Sequence, residues 1–278
     1  MSYHQFPPDP ILNQFIQCFW SVSSNAEILP TLEHGVIPGG YVDLVFNVGA
    51  PVRQVTSGQL FVDQARSFVI GPFDRLQRFR VEGQFEFLGV RFHLGRFPFS
   101  RLPLREARNR ALPLDGLWEQ QGLKAKIQAL ECRLAQEADT AERIACVERF
   151  LKEFLQHCSE PDTVVTEALD LIEETKGQIS VEALAEAVGM SDRQLERKFT
   201  LHVGLLPKAF CRVARFRQVK SLLESALRPT SCDLAYACGY YDQTHLIREF
   251  RLFTGQTPAH YERVQSVGFF LYESQMTC

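Results

Sequence analysis

"GMSDRQLERKF" (Gly189–Phe199) and "GYYDQTHLIREF" (Gly239–Phe250) carry the reading of this chain. Each opens on a glycine and closes on Arg-x-Phe. Each follows a short run with helical spacing of small and apolar residues: Val181, Leu184, Ala185 and Val188 before the first, Leu234, Ala235 and Cys238 before the second. Ser180 is placed to cap the first short helix, and Ser191, with Gln194 at the capping-box position, to cap the helix after it. In the second copy Pro229 bars earlier helix, Ser231 caps, and Asp242 caps again. Ala185 and Ala235 stand four residues before the turn glycines, where a small side chain lets two helices cross closely. Both phrases therefore predict a helix-turn-helix.

Between them lies "PKAFCRVARFRQVKSLLES" (207–225), a third helix with Phe210, Ala214, Phe216, Val219, Leu222 and Leu223 on its buried face. Its ~19 residues span roughly 29 Å at 1.5 Å per residue. One turn of B-DNA is about 34 Å. With Leu195 and Phe199 inward, a helical wheel turns Arg193 and Arg197 directly outward, and the same wheel turns out Thr244 and Arg248, with Arg251 further along. An arginine two residues before a core phenylalanine thus recurs in both copies. Such a residue can offer its planar fork to O6 and N7 of a guanine.

Charge supports this reading. The whole chain carries −3, but residues 176–263 hold 13 Lys+Arg against 9 Asp+Glu, a net of +4, which leaves 17 basic and 24 acidic residues, a net of −7, elsewhere. A basic module on an acidic one suits an anionic partner for the C-terminal part.

The rest of the chain is α+β. "YVDLVFNVG" (41–49) alternates Val42, Leu44, Phe46 and Val48 with Asp43 and Asn47, after a turn at "IPGG" (37–40). With "RSFVIGPFD" (66–74) and "FRVEGQFEFLGVRFHLG" (79–95) it predicts a small antiparallel barrel or sandwich. Residues 115–157 predict two helices, with stripes Leu123, Ile127, Leu130, Leu134 and Ile144, Val147, Leu151, Phe154. Two destinations are open for the second stripe: the barrel, or a second subunit in a homodimer. The polar "HCSEPDT" (157–163) divides the chain into domains at 1–160 and 161–278. The tail "VQSVGFFLYESQMTC" (264–278) is apolar enough to predict docking rather than disorder.

Residues 165–263 resemble the AraC/XylS family of bacterial transcription regulators. The likeness runs through "LAEAVGMSDRQLERKF", Gly204, Pro207, "RFRQVKSLL" (215–223) and "CDLAYACGYYDQTHLIREFRLFTGQTPAHYER" (232–263). Tyr240 and Leu246 stand where that family has phenylalanine, and Val219 where it has alanine, which touches the core of the second unit more than its outer face. The resemblance implies two helix-turn-helix units in successive major grooves of double-stranded DNA, with Arg193, Glu196 and Arg197, then Thr244, His245 and Arg248, reading bases. "IPGGYVDLVFNVG", "FLGVRFHLGRFPFS" and "LPLDGLWEQ" resemble a cupin-like sensory domain of such regulators. That implies a small-molecule effector in the barrel, dimerisation through the helices after it, and RNA polymerase as a further partner.

Other functions fit less well. No apolar run approaches the ~18 residues of a membrane span, and no signal peptide is visible, so the expected address is the cytosol. The alternative of a cupin-type metalloenzyme with a DNA-binding appendage lacks its ligands: His34 and His93 stand alone, without His-x-His spacing, and no cofactor or metal is expected. Trp20, Asp43, Arg91 and His93 are the candidate effector contacts, against a plainer reading as solvated strand residues. Cysteines at 18, 132, 146, 158, 211, 232, 238 and 278 form no Cys-x-x-Cys and no disulfide pattern. Cys232 and Cys238, six residues apart, share a helical face poorly, which argues against a redox switch.

Overall fold

A computed structural model describes residues 2–24, 32–49, 52–55, 61–63, 66–81, 85–93, 96–97, 104–114, 123–155, 161–225 and 231–265. Its N-terminal part is built from β1 (Ser2–Phe6), β2 (Ile16–Ser23), β3 (Leu32–Val36), β4 (Val42–Asn47), β5 (Val52–Val55), β6 (Phe61–Asp63), β7 (Ser67–Ile70), β8 (Gln77–Val81), β9 (Glu86–Phe92) and β10 (Ala111–Pro113). These form two antiparallel sheets, in the orders β1-β2-β9-β4-β7-β10 and β3-β8-β5-β6. Among the described residues no ladder joins the two sheets.

The larger sheet is covered on both faces. One face packs Leu44, Phe46, Val69, Leu88, Val90 and Phe92 against two helices, α2 (Leu123–Gln136) and α3 (Thr140–Leu155), which follow the short α1 (Leu104–Ala107). The other packs Trp20, Val22, Val45 and Phe68 against Phe79 of the smaller sheet. Trp20 can lie across its neighbour β9 only because residue 89 is glycine: a Cβ there would come within 1.9 Å of the indole.

Of the two destinations open to the stripe on α3, the structure shows the one within the chain. Ile144, Val147 and Leu151 are buried in the sheet–helix core, and the partly buried Phe154 packs against it and stacks on Phe150. Three of the four side chains of that stripe are thus turned inward, and Phe154 alone of the four keeps a partly exposed ring. Lys152 and Glu148 bind Asp9, Arg143 donates to the carbonyls of Leu134 and Glu137, and Glu131 bonds Ser67, so α2 and α3 are laced to the sheet by polar contacts too.

The C-terminal part is helical: α4 (Thr163–Glu174), α5 (Val181–Ala187), α6 (Asp192–Val203), α7 (Pro207–Glu224), α8 (Ser231–Ala237), α9 (Gln243–Thr254) and α10 (Pro258–Gln265). Helix α7 is the shared strut. Phe210 meets Phe199 of the first unit edge-on, while Phe216 packs against Phe250 and Phe253 of the second. Residues 266–278, which hold most of the apolar tail, lie outside the described residues.

Contacts between the two parts are specific. Ile37 joins the core of the second unit, and Gly40 abuts the Phe210 ring. The Leu76 N–H donates to the Leu252 carbonyl at 3.2 Å. Gly204, at the end of α6, lies so close to the Leu104 carbonyl that a Cβ would approach it to 2.6 Å.

Candidate nucleic-acid interface

Each unit is built by the same local chemistry. Ser180 accepts from the Ala183 N–H at 3.1 Å, and Asp242 from the His245 N–H at 2.7 Å. Gln194 accepts from the Ser191 N–H at 3.1 Å. Ser231 is itself the first helical residue of α8, one place beyond the predicted cap. The two turns close with the same bonds: Met190 N–H to the Ala185 carbonyl and Tyr240 N–H to the Ala235 carbonyl, both 2.9 Å. Gly189 and Gly239 take φ of 66° and 68°, the left-handed region that favours glycine. Ala185, Leu195 and Phe199 are buried in one unit, and Ala235, Leu246 and Phe250 in the other.

The outward faces follow. Arg193, Glu196 and Arg197 are exposed on α6, and Thr244, Arg248 and Arg251 on α9. Among the described residues Arg193, Arg197, Arg248 and Arg251 have no ion-pair partner, whereas several other cations of the region are spent on structure. Lys198 pairs with Asp162, Arg212 with Glu249, and Arg217 with Glu173. Those four arginines lie on the outer faces of the second helices. His245 departs from the expected outward position. It is half-buried, its ring meets Tyr240 edge-on at 5.2 Å, and its Nε2 lies 3.7 Å from Glu249.

The units are held to one another by more than α7. Gln178 donates to the Ala237 carbonyl at 3.1 Å, and Arg215 donates to the Gly177 carbonyl while its guanidinium lies 5.6 Å from the Tyr240 ring centre. Glu249 is a buried acid that sequence patterning did not single out; paired with Arg212, it ties α9 to α7. Burial, with the nearby Glu249, pushes the Tyr240 phenol well above its ordinary value, so it stays neutral.

The N-terminal candidates separate into two sets. Asp43 and Arg91 face each other in register on β4 and β9, and form a bidentate pair at 2.9 and 2.7 Å. Both are buried, contrary to the solvated reading. Burial opposes the charge on Arg91, but the Asp43 carboxylate more than offsets it and holds the guanidinium above its ordinary value. Trp20 lies on the adjacent β2, stacked on Tyr3. Burial pushes the Tyr3 phenol up to about 12. The Arg91 guanidinium sits 4.4 Å from the centre of the Tyr41 ring. His93 belongs elsewhere: beyond the end of β9, its ring bonds the Asn13 carbonyl at 3.0 Å, and burial lowers its pKa. Among the described residues no group of three or more His, Cys, Asp or Glu is placed to hold a metal ion. The His34 side chain lies outside them. No helix among them is long and apolar enough to cross a membrane.

Residues 184–263 match a family described as a helix-turn-helix domain, and residues 4–113 match a domain of unknown function, DUF6597. Among curated proteins nothing matches. Among solved structures, a transcriptional regulator with an AraC-type DNA-binding domain from Chromobacterium violaceum is 30% identical, over 37% of this chain and 90% of its own, with a TM-score of 0.34. The DNA-binding domain of AdpA, solved with a target DNA, is 27% identical over 39% of this chain and 97% of its own, with a TM-score of 0.37. ToxT of Vibrio cholerae aligns with 88% of this chain and 97% of its own at 9% identity and a TM-score of 0.47. With 30% identity across nine-tenths of the Chromobacterium regulator, and with two helix-turn-helix units whose unpaired arginines face outward, this chain belongs to the AraC family of DNA-binding transcription regulators.

Proposed function

We propose that this regulator, which is not an enzyme, reads a specific double-stranded operator with both units at once and answers to a small effector held by its N-terminal part. The observation that carries the reading is the paired geometry: Arg197 and Arg248 exposed, two residues before Phe199 and Phe250, on helices joined by α7. That 18-residue strut is roughly 27 Å long at 1.5 Å per residue. Arg193, Glu196 and Thr244 complete the reading faces. His245, engaged with Tyr240, contributes less than the resemblance implies.

In this reading residues 1–160 form a cupin-like sensor and 161–278 the DNA-binding domain. The separation of the apolar clusters supports that division, since among the described residues only Ile37 and Leu76 cross into the C-terminal cores. Effector control is supported by the chain of contacts Asp43–Arg91–Tyr41–Arg217, which runs from the inside of the sheets to the strut between the two units. The test is selection of duplexes from random sequence by the full chain. Two short conserved half-sites about one helical turn apart are expected, with affinity falling steeply as salt rises. Recovery of unrelated sequences, or of a single half-site, would overturn the two-unit reading.

A further inference from the structure

The two units match in their helices and differ by one residue in their turns. Ser191 caps α6 two residues after Gly189, while Asp242 caps α9 three residues after Gly239. The longer turn carries two tyrosines with opposite fates. Tyr240 is buried under Arg215 and His245. Tyr241 is 93% exposed, and among the described residues neither its ring nor its hydroxyl has a partner.

Its place narrows its use. Tyr241 directly precedes Asp242, the cap of the helix whose Thr244 and Arg248 face outward. In a helix-turn-helix the first turn of the second helix meets base edges, so the residue entering that helix stands over the phosphate rim of the groove. A tyrosine suits that rim. Its ring packs against a sugar, and its hydroxyl donates to a phosphate oxygen. Arg248 and Arg251, both unpaired, bring positive charge to the same helix. The first unit has no counterpart, since its shorter turn runs directly from Met190 to Ser191.

We propose that Tyr241 is a DNA-backbone contact of the second unit, with its ring against a deoxyribose and its hydroxyl on a phosphate at the edge of the groove that α9 enters. The proposal rests on the DNA-binding reading of α9 and is continuous with that face. It predicts a contact that orients the protein on DNA without reading sequence. Because tyrosine is neutral, the contact releases no counterion.

The test uses the full chain, a duplex it selects from random sequence, and an unrelated duplex of equal length, titrated by fluorescence anisotropy over a range of salt. Tyr241→Ala is expected to weaken binding to both duplexes alike, by about five- to twentyfold, with the slope of log affinity against log salt unchanged. Tyr241→Phe should recover part of that loss by keeping the ring. Circular dichroism and melting should be unaltered, because the side chain is in solvent. Tyr241→Ala binding both duplexes within about twofold of the parent would overturn the proposal and leave the ring to a protein partner. A loss confined to the selected duplex, or a shallower salt slope, would overturn it as well, since those mark a base contact and a charge contact. Arg197→Ala and Arg248→Ala run beside it. If they too are silent, the DNA-binding face has been misassigned, which is a different failure from that of Tyr241 alone.

Discussion

The guanidinium of Arg217, on the strut α7, lies 5.9 Å from the centre of the Tyr41 ring. Arg91, from between the sheets, approaches the same ring to 4.4 Å. Tyr41 therefore meets one cation from each half of the chain. Glu173 and the Gly39 carbonyl anchor Arg217, and Asp43 anchors Arg91. A disturbance of the buried pair is one side chain away from the helix that spaces the two units.

Asp43→Ala leaves the Arg91 charge buried without its partner. The expected loss is about 3–5 kcal/mol, the usual consequence of removing one member of a buried pair. Urea unfolding of the full chain measures it. Hydrogen exchange should rise in α7 as well as in β4 and β9. Exchange confined to the sheets would mean that Tyr41 transmits nothing.

Arg197→Ala and Arg248→Ala should each cost about 1–3 kcal/mol of discrimination between a selected duplex and an unrelated one, as a lost bidentate base contact does. His245→Ala should cost less, because its ring is engaged with Tyr240. Equal binding of both duplexes by the parent protein would remove the basis for the comparison and for the specific reading.

Leu151→Asp places a charge in the sheet–helix core, where Leu151 is 0% exposed. Truncating a buried leucine to alanine alone costs about 2–5 kcal/mol, and an unpaired charge adds to that. The expected outcome is an unfolded or insoluble protein. A folded, soluble monomer in sedimentation would instead return this stripe to a subunit interface.

Asp162 caps α4 through the Val165 N–H at 3.1 Å and pairs with Lys198 on α6. Burial opposes its charge, yet the Lys198 ammonium and that amide hold its carboxyl below its ordinary value. A carboxyl depressed in the folded state stabilises above its unfolded value, near pH 4, and loses that contribution as pH falls through the lower folded value. Asp162→Ala should therefore cost about 1–2 kcal/mol at neutral pH and flatten the acid limb of the stability curve. An acid limb unchanged by the substitution would contradict the assignment.

Burial pushes the thiols of Cys211 and Cys238 up to about 11. Cys132 and Cys232 are exposed. At neutral pH a thiol-specific reagent should modify Cys132 and Cys232 rapidly, and Cys211 and Cys238 only on unfolding. Native-state labelling of Cys238 would reopen a redox role for the second unit.

The helical half was legible because its signals are local. Caps, turn glycines and the four-residue spacing of Leu195–Phe199 and Leu246–Phe250 are decided by neighbours along the chain. The sheet half was legible only as strands. Alternation in 41–49 implies one dry and one wet face, but Asp43 and Asn47 are each only 8% exposed, because the second face meets another sheet. Nothing in a strand's own residues announces a second cover, or that Asp43 has a partner 48 positions away. The stripe on α3 had the same limit: its period says that Ile144, Val147 and Leu151 are buried, not against what. His245 came from the family register alone, and a register carried over from relatives knows nothing of the Tyr240 ring beside it.

Ile37 and Leu76 have a practical consequence for dissecting this protein. Both reach out of the sheets into the second unit, and Leu76 also bonds the Leu252 carbonyl. A fragment starting at 161 would leave their seats open to water, a sticky apolar notch near the C-terminal end of α9. Such a fragment should self-associate at concentrations where the whole chain does not, and small peptides carrying the 35–41 segment should relieve it. The N-terminal part is then also the second unit's own solubilising cover, and the two cannot be separated without trading one property for the other.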